Sequence, residues 1–126
     1  VGDGQLKESL RKSAKERGID NVHFFDPMPK TELSELLPQF HGALMVLADV
    51  PAFYYGTSPN KFFDYLSAGL PIVVNYPGWV ADLIHENGCG LAVSPGDAFA
   101  FADALCRIAN DTEFQSQAGS KARMLA

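Results

Sequence analysis

The sequence predicts a Rossmann-like three-layer α/β/α fold, in which helices cover both faces of a parallel sheet. Two short runs, 43–47 and 71–74, are almost wholly apolar, as is typical of strands buried on both faces. Amphipathic helical patterns follow these runs, and strands that alternate with helices imply βαβ units. The length of 126 residues fits one domain.

The individual elements follow from local signals. The predicted strands are 21–25, 43–47, 71–75 and 91–93, with a loop between 48 and 58. The predicted helices are 5–17, a second that Thr31 caps and Pro38 ends, a third from Pro59 or Asn60 to Gly69, and a fourth over 79–86. Two more are expected after Asp97 and from Asp111 to Met124. Val1 resembles the end of a strand, so we expect the chain to start inside a larger protein.

Composition and charge narrow the classes of function. Ten basic and fifteen acidic side chains give a formal net charge of −5, which argues against broad attraction to nucleic acid or an anionic membrane. No basic-then-apolar segment opens the given sequence, and no apolar run approaches the roughly 20 residues of a membrane span, so a cytoplasmic location is expected. Cys89 and Cys106 lack metal-ligand or CxxC spacing and are expected to be free thiols, and no histidine pair has a metal-ligand spacing.

The first candidate ligand contact is the turn Gly2-Asp3-Gly4. In doubly wound sheets, ligands bind outside the carboxyl ends of the strands. Gly2 and Gly4 permit close approach of the backbone, and the following helix start offers N–H groups to an anion. The third glycine of the dinucleotide fingerprint is missing, so a phosphate contact and a purely structural turn both remain open.

The second candidate lies at the start of the third predicted helix. Pro59 and Asn60 occupy the helix start, where free N–H groups and the dipole favour a phosphate, and Lys61 adds a cation. One turn further on, the carboxylate of Asp64 is suited to accept hydrogen bonds from ribose hydroxyls. The alternative is that Lys61 and Asp64 are the solvated side of an amphipathic helix.

The stretch SPNKFFDYLSAGLPIVV resembles the donor-site helix of glycosyltransferase family 4 proteins, which are retaining enzymes of the GT-B fold. In that family two glutamates separated by seven residues mark the site, and the second typically binds the donor ribose. Asp64 stands at the second position, five residues before Gly69, whereas Gly56 stands at the first. The motif is therefore only half present, which leaves a carboxylate contact to the transferred sugar unsupported.

The resemblance extends over nearly the whole chain, through GDG, NVHFFDPMPKTEL, GCGLAVSPGD and a final AR. It implies that the loop of Asp26, Pro27 and Met28 lines the nucleobase, mostly through backbone groups, although an ordinary turn is the alternative. It assigns no catalytic residue. The residues expected to bind the donor are Gly2, Gly4, Asp26, Pro27, Met28, Ser58, Pro59, Asn60, Lys61 and Asp64.

These observations lead to one function hypothesis and its rivals. The chain is expected to bind a nucleotide diphosphate sugar as the donor part of a glycosyltransferase in polysaccharide biosynthesis, with no metal or other cofactor. We expect its first strand-helix unit and the acceptor domain to precede Val1, any membrane contact to be made by that missing domain, and the isolated chain to be inactive. The rivals are a GT-B epimerase, a non-catalytic α/β interaction domain and an NAD-binding dehydrogenase module. Tyr76 and Trp79 follow a strand and are candidates to pack against the donor or the missing domain, although packing in the core or on the surface is commoner.

Overall fold

The computed structural model describes residues 1–56 and 59–126. The chain divides into two compact units, Val1–Leu33 and Ser34–Ala126. The smaller unit carries the glycine turn and the first helix. The larger unit carries the sheet.

In the smaller unit, helix α1 (Lys7–Glu16) lies within the predicted range 5–17. The predicted strand at 21–25 is wrong, since this described segment has no strand. Its backbone contact with the start of the chain is a hydrogen bond from the Gly2 N–H to the Phe25 carbonyl, at 3.1 Å. Val22 and Phe25 are also half exposed, at 50% and 51%. A strand requires a continuing ladder and a covered face, and this described segment has neither.

Helix α2 (Lys30–Leu36) begins one residue before Thr31, so the prediction that Thr31 is the N-cap is wrong. The reason is that the Leu33 N–H donates to the Pro29 carbonyl at 3.0 Å, which starts the helical bonding before Thr31. Pro38 does end the α-helix, as predicted, and sits in a short 3-10 helix, Leu37–Gln39.

The larger unit contains a parallel sheet of three strands in the order β1 (Ala43–Met45), β2 (Ile72–Val74) and β3 (Gly90–Ala92). Gly90 lets β3 lie close to β2, because a Cβ there would stand 1.9 Å from the Ile72 carbonyl oxygen. All three strands were predicted, with limits that differ from the observed ones by one or two residues. Within the predicted loop at 48–58, residues Ala52–Gly56 form a single helical turn, α3, and the Tyr54 N–H donates to the Pro51 carbonyl at 3.2 Å.

Four longer helices surround the sheet, and their limits follow the predicted signals. They are α4 (Asn60–Ala68), α5 (Trp79–Asn87), α6 (Ala98–Asn110) and α7 (Thr112–Leu125). Helix α4 ends at Gly69, whose φ of 70° is the left-handed conformation that glycine adopts without strain. Asp111 caps α7 as predicted, and Asp97, predicted only to precede its helix, caps α6.

The core lies on both faces of β2. Val73 packs against Ala104 and Ile108 of α6. Ile72 and Val74 point to the opposite face and are also fully buried. Helix α4 packs against β1 and α5 packs against β3. Helix α7 packs against α4, α5 and α6. The α/β architecture with a parallel sheet is therefore confirmed. None of the described helices is both long and apolar enough to span a bilayer.

Candidate functional site

A cavity of about 320 Å³ opens where β1 ends and α4 begins. This is the carboxyl edge of the sheet, where parallel α/β folds bind their ligands. Three of the predicted donor-binding residues line it together. The lining residues are Leu44, Met45, Val46, Leu47, Pro59, Asn60, Lys61 and Tyr76.

The start of α4 brings its first backbone N–H groups to this cavity. Pro59 is the N-cap residue, with extended dihedral angles (φ −78°, ψ 121°), and no side chain in the described part of the chain caps the helix. The Phe62 N–H donates back to the Pro59 carbonyl at 3.0 Å. Asn60 and Lys61 precede Phe62 at the helix start, so no carbonyl of the same helix is available to accept from their N–H groups. The helix dipole and the Lys61 ammonium therefore make this end of the cavity favourable for an anion.

Asn75 holds the loop that forms one wall of the cavity. Its Oδ1 accepts a hydrogen bond from the Leu47 N–H at 2.8 Å, and its Nδ2 donates to the Leu47 carbonyl at 3.0 Å. This amide pair extends the β1–β2 ladder beyond Met45. Tyr76 and Trp79 were predicted to follow this strand, but the contact of Asn75 was not predicted, although an asparagine at the end of a buried strand was the available signal.

Tyr76 lines the same cavity, and its side chain is almost completely enclosed, at 2% exposed. Its ring lies nearly parallel to that of Tyr54, 8° apart with the centroids separated by 6.5 Å. Gly78 permits this arrangement, because its φ is 123° and a Cβ would stand 2.2 Å from the Tyr54 carbonyl oxygen. Burial raises the pKa of Tyr76 above its ordinary value of 10.0, at which a phenol is already protonated at neutral pH.

Two further residues of this loop and helix, Asp64 and Ser58, were predicted to bind the donor. Asp64 is half-buried, one turn along α4, and is not among the described residues that line the cavity. A ribose contact by Asp64 stays a prediction. Ser58 lies outside the described residues.

The smaller unit brings its own predicted residues together. The Gly2 N–H bonds to the Phe25 carbonyl, so the glycine turn lies beside the loop that continues through Pro27 and Met28. Gly4 is exposed, and its carbonyl accepts from the Lys7 N–H at 2.9 Å. The Lys7 ammonium pairs with Asp26 at 2.5 Å. Its hydrogen bond and charge hold the pKa of Asp26 below the ordinary value. Sequence reasoning missed Lys7, a cation in the first turn after a glycine turn.

A second cavity, of about 260 Å³, lies at the same sheet edge beside the start of α6. Val46 lines both cavities. The remaining lining residues of the second cavity are Asn75, Ser94, Gly96, Asp97, Ala98 and Phe101.

Comparison with known proteins shows the family. The model of the family described as "Glycosyl transferases group 1" matches residues 1–111, which is most of the chain. The chain belongs to this glycosyltransferase family. No curated protein matches it.

A solved structure supports the fold of this glycosyltransferase domain. The chain superposes on "WaaG, a glycosyltransferase involved in lipopolysaccharide biosynthesis" with a TM-score of 0.77 and 20% sequence identity. The match covers 100% of this chain and 32% of WaaG, so the chain spans about a third of that protein. The expected GT-B architecture is thereby confirmed, whereas assignment to family 4 stays a prediction.

In this glycosyltransferase domain, the cavity at α4 combines backbone donors, a cation and a buried phenol with an apolar wall. Such a set suits a ligand that carries an anionic group beside an apolar or flat one. Nothing in the described lining of this cavity is a carboxylate. The arrangement therefore favours binding and charge neutralisation over acid-base chemistry.

Proposed function

We propose that the chain is the donor-binding part of a glycosyltransferase that moves a sugar from a nucleotide diphosphate sugar to an acceptor hydroxyl, with retention of configuration. Family membership supports sugar transfer. The observation that carries the donor role is the cavity at the start of α4, at the sheet edge. Lys61 and the first N–H groups of the helix, which no described side chain caps, lie there. A diphosphate is the anionic part of such a donor.

The proposed role of this site is to stabilise the leaving nucleoside diphosphate. Negative charge develops on the diphosphate as its bond to the sugar breaks, and fixed donors aimed at that charge lower the barrier. The N–H groups of Asn60 and Lys61 are held in place by the helix and need no reorganisation. Lys61 supplies the counter-charge, so the proposal requires no metal. Asp64 is proposed to bind the ribose.

The other predicted contacts complete the proposal. Gly2 and Gly4 approach the donor through the backbone, and the loop of Asp26, Pro27 and Met28 faces the nucleobase. A separate N-terminal domain supplies the acceptor site and any contact with a membrane, and the isolated chain is inactive. We place the protein in the cytoplasm and its acceptor in polysaccharide biosynthesis, and the involvement of WaaG in lipopolysaccharide biosynthesis supports that choice of acceptor.

The test is a thermal-shift series with UDP, GDP, ADP and NAD at millimolar concentration. We expect one nucleoside diphosphate to stabilise the chain, by about 2.7 kcal/mol where the ligand reaches roughly 100 times its Kd. Lys61→Glu should remove this stabilisation, because it reverses the charge at the phosphate. Lys121→Glu is the control. It makes the same charge change in α7, beside Gly88 at the end of α5, and should leave the response intact.

Three results would count against the proposal. A flat response of the wild type to all three nucleoside diphosphates would remove the donor role. Stabilisation by NAD alone would favour a dehydrogenase module. Sugar transfer by the purified chain would contradict its expected inactivity. Asp64→Ala tests the ribose contact separately, since it should weaken binding of a nucleoside diphosphate but not of pyrophosphate.

A further inference from the structure

The hydroxyl of Tyr76 is the one buried side-chain polar atom in the described part of the chain without a hydrogen-bond partner. Buried phenols ordinarily find a partner, and an unsatisfied one reduces stability. Replacing the hydroxyl with hydrogen would leave the ring and its packing unchanged. An unpartnered hydroxyl on a residue that lines a cavity therefore requires an explanation, and a ligand is one that the cavity itself suggests.

We propose that the Tyr76 hydroxyl donates a hydrogen bond to a phosphate oxygen of the bound donor. The inference rests on the proposed function and adds a binding residue outside the loop and helix from Ser58 to Asp64. Tyr76 follows the end of β2, whereas Asn60 and Lys61 belong to α4. Residues from two elements would therefore bind the same phosphate.

The chemistry of the cavity identifies the group that is bound. The Asn60 and Lys61 N–H groups, the Lys61 ammonium and the protonated phenol are all donors. A group that accepts from several donors at once is an anion with more than one free oxygen, which describes a phosphate. A sugar hydroxyl would more readily use a mixture of donors and acceptors.

Access to the hydroxyl requires a small movement. The oxygen is covered in the ligand-free structure, so a neighbouring wall residue has to shift before a phosphate reaches it. Lys61 lines the same cavity, is exposed and has a long flexible side chain, so it can adjust to a bound phosphate. Binding would then bring the phenol and the ammonium onto the same phosphate.

The experiment measures the Kd of pyrophosphate and of the active nucleoside diphosphate by calorimetry, in the wild type and in Tyr76→Phe. We expect both ligands to bind about 10- to 100-fold more weakly to the variant, as loss of a hydrogen bond to a charged group predicts. The ligand-free Tm should stay the same or rise, because the variant removes only an unpaired hydroxyl. Tyr65→Phe, which alters a half-buried tyrosine of α4 outside the described cavity lining, is the matched control and should bind normally.

The outcomes separate this inference from the proposed function. If Tyr76→Phe binds both ligands with the Kd of the wild type, the role of Tyr76 is overturned but the proposed donor site is not. Loss of nucleoside diphosphate binding with unchanged pyrophosphate binding would also overturn it, since the hydroxyl would then contact the nucleoside. Absence of binding to the wild type would overturn both.

Discussion

The helix starts of the larger unit differ in what satisfies their backbone N–H groups. In α6, Asp97 accepts a hydrogen bond from the Ala100 N–H at 2.9 Å. In α7, which follows α6 directly, Asp111 accepts from the Phe114 N–H at 2.9 Å. The start of α4 has Pro59 in the N-cap position, with no side-chain cap in the described part of the chain and a lysine at its second residue.

This difference separates helix starts that serve stability from one suited to a ligand. A carboxylate N-cap stabilises a helix by about 0.5–2 kcal/mol. Helices α6 and α7 have such a cap, whereas the N-cap residue of α4 is Pro59. Helix α6 also begins beside a cavity, but Asp97 already fills the position that an anion would occupy. Of the two described cavities at this edge, the one at α4 is therefore the one suited to phosphate.

Among changes to the helix starts, the largest expected effect comes from giving α4 the cap that α6 has. Pro59→Asp places a carboxylate where the backbone is already extended, as N-cap geometry requires. We expect the affinity for pyrophosphate to fall by about 2 kcal/mol, roughly 30-fold, because the carboxylate takes the N–H donors and repels the ligand. Calorimetric titration measures the change. Pro59→Ala, which removes the ring without adding charge, should bind within about twofold of the wild type. Equal losses in the two variants would show that the ring, rather than the open anion position, is what matters.

A smaller effect, on stability alone, is expected from removing the caps of α6 and α7. Asp97→Ala and Asp111→Ala should each lower the free energy of unfolding by about 1 kcal/mol, a fall in Tm of roughly 3–6 °C. Pyrophosphate binding should not change. Asp97→Asn and Asp111→Asn keep the accepting oxygen and should retain most of the stability. A drop in pyrophosphate affinity with Asp97→Ala would mean that the start of α6 also contributes to the ligand site.

Local signals in the sequence predicted these helix starts well. A cap and the N–H that it accepts from lie three residues apart, so Asp97 and Asp111 could be recognised without knowledge of the fold. The same holds for Gly69, since the chain must turn at the end of α4. Buried strands such as 72–74 were recognised from their unbroken apolar character, and the position of the cavity followed from the general rule for parallel sheets.

Features that depend on distant partners could not be predicted. The segment 21–25 has the composition of a strand, but a strand also requires a neighbouring ladder, and this segment meets the chain start through the bond between Gly2 and Phe25. Helix α3 lies against Tyr76 and Gly78, so its single turn depends on tertiary contacts. The absence of a described hydrogen-bond partner for the Tyr76 hydroxyl likewise follows from packing. The position of Tyr76 after a strand had made it only a candidate to pack against the donor or another domain.

The smallest expected effect concerns a third kind of helix start, that of α1. Its N-cap residue Leu6 has no polar side chain to offer, and the neighbouring cation, Lys7, is paired with Asp26 of the same unit. At α1 the chain itself therefore supplies a counter-ion for the lysine, whereas no ion pair of Lys61 is seen among the described residues of the larger unit. Lys7→Ala should raise the pKa of Asp26 towards 3.8, because the hydrogen bond and charge that lower it are lost. A ¹³C NMR titration of the Asp26 carboxyl measures this shift.

Since the folded-state pKa of Asp26 is lower than its unfolded-state pKa, the ion pair stabilises the unit above about pH 4, and this contribution is lost as the pH falls through the folded-state pKa. Lys12→Ala breaks another ion pair of α1, that with Glu16, and should leave the pKa of Asp26 in place. An equal shift in both variants would show that the general charge of α1, rather than the contact with Lys7, sets the pKa.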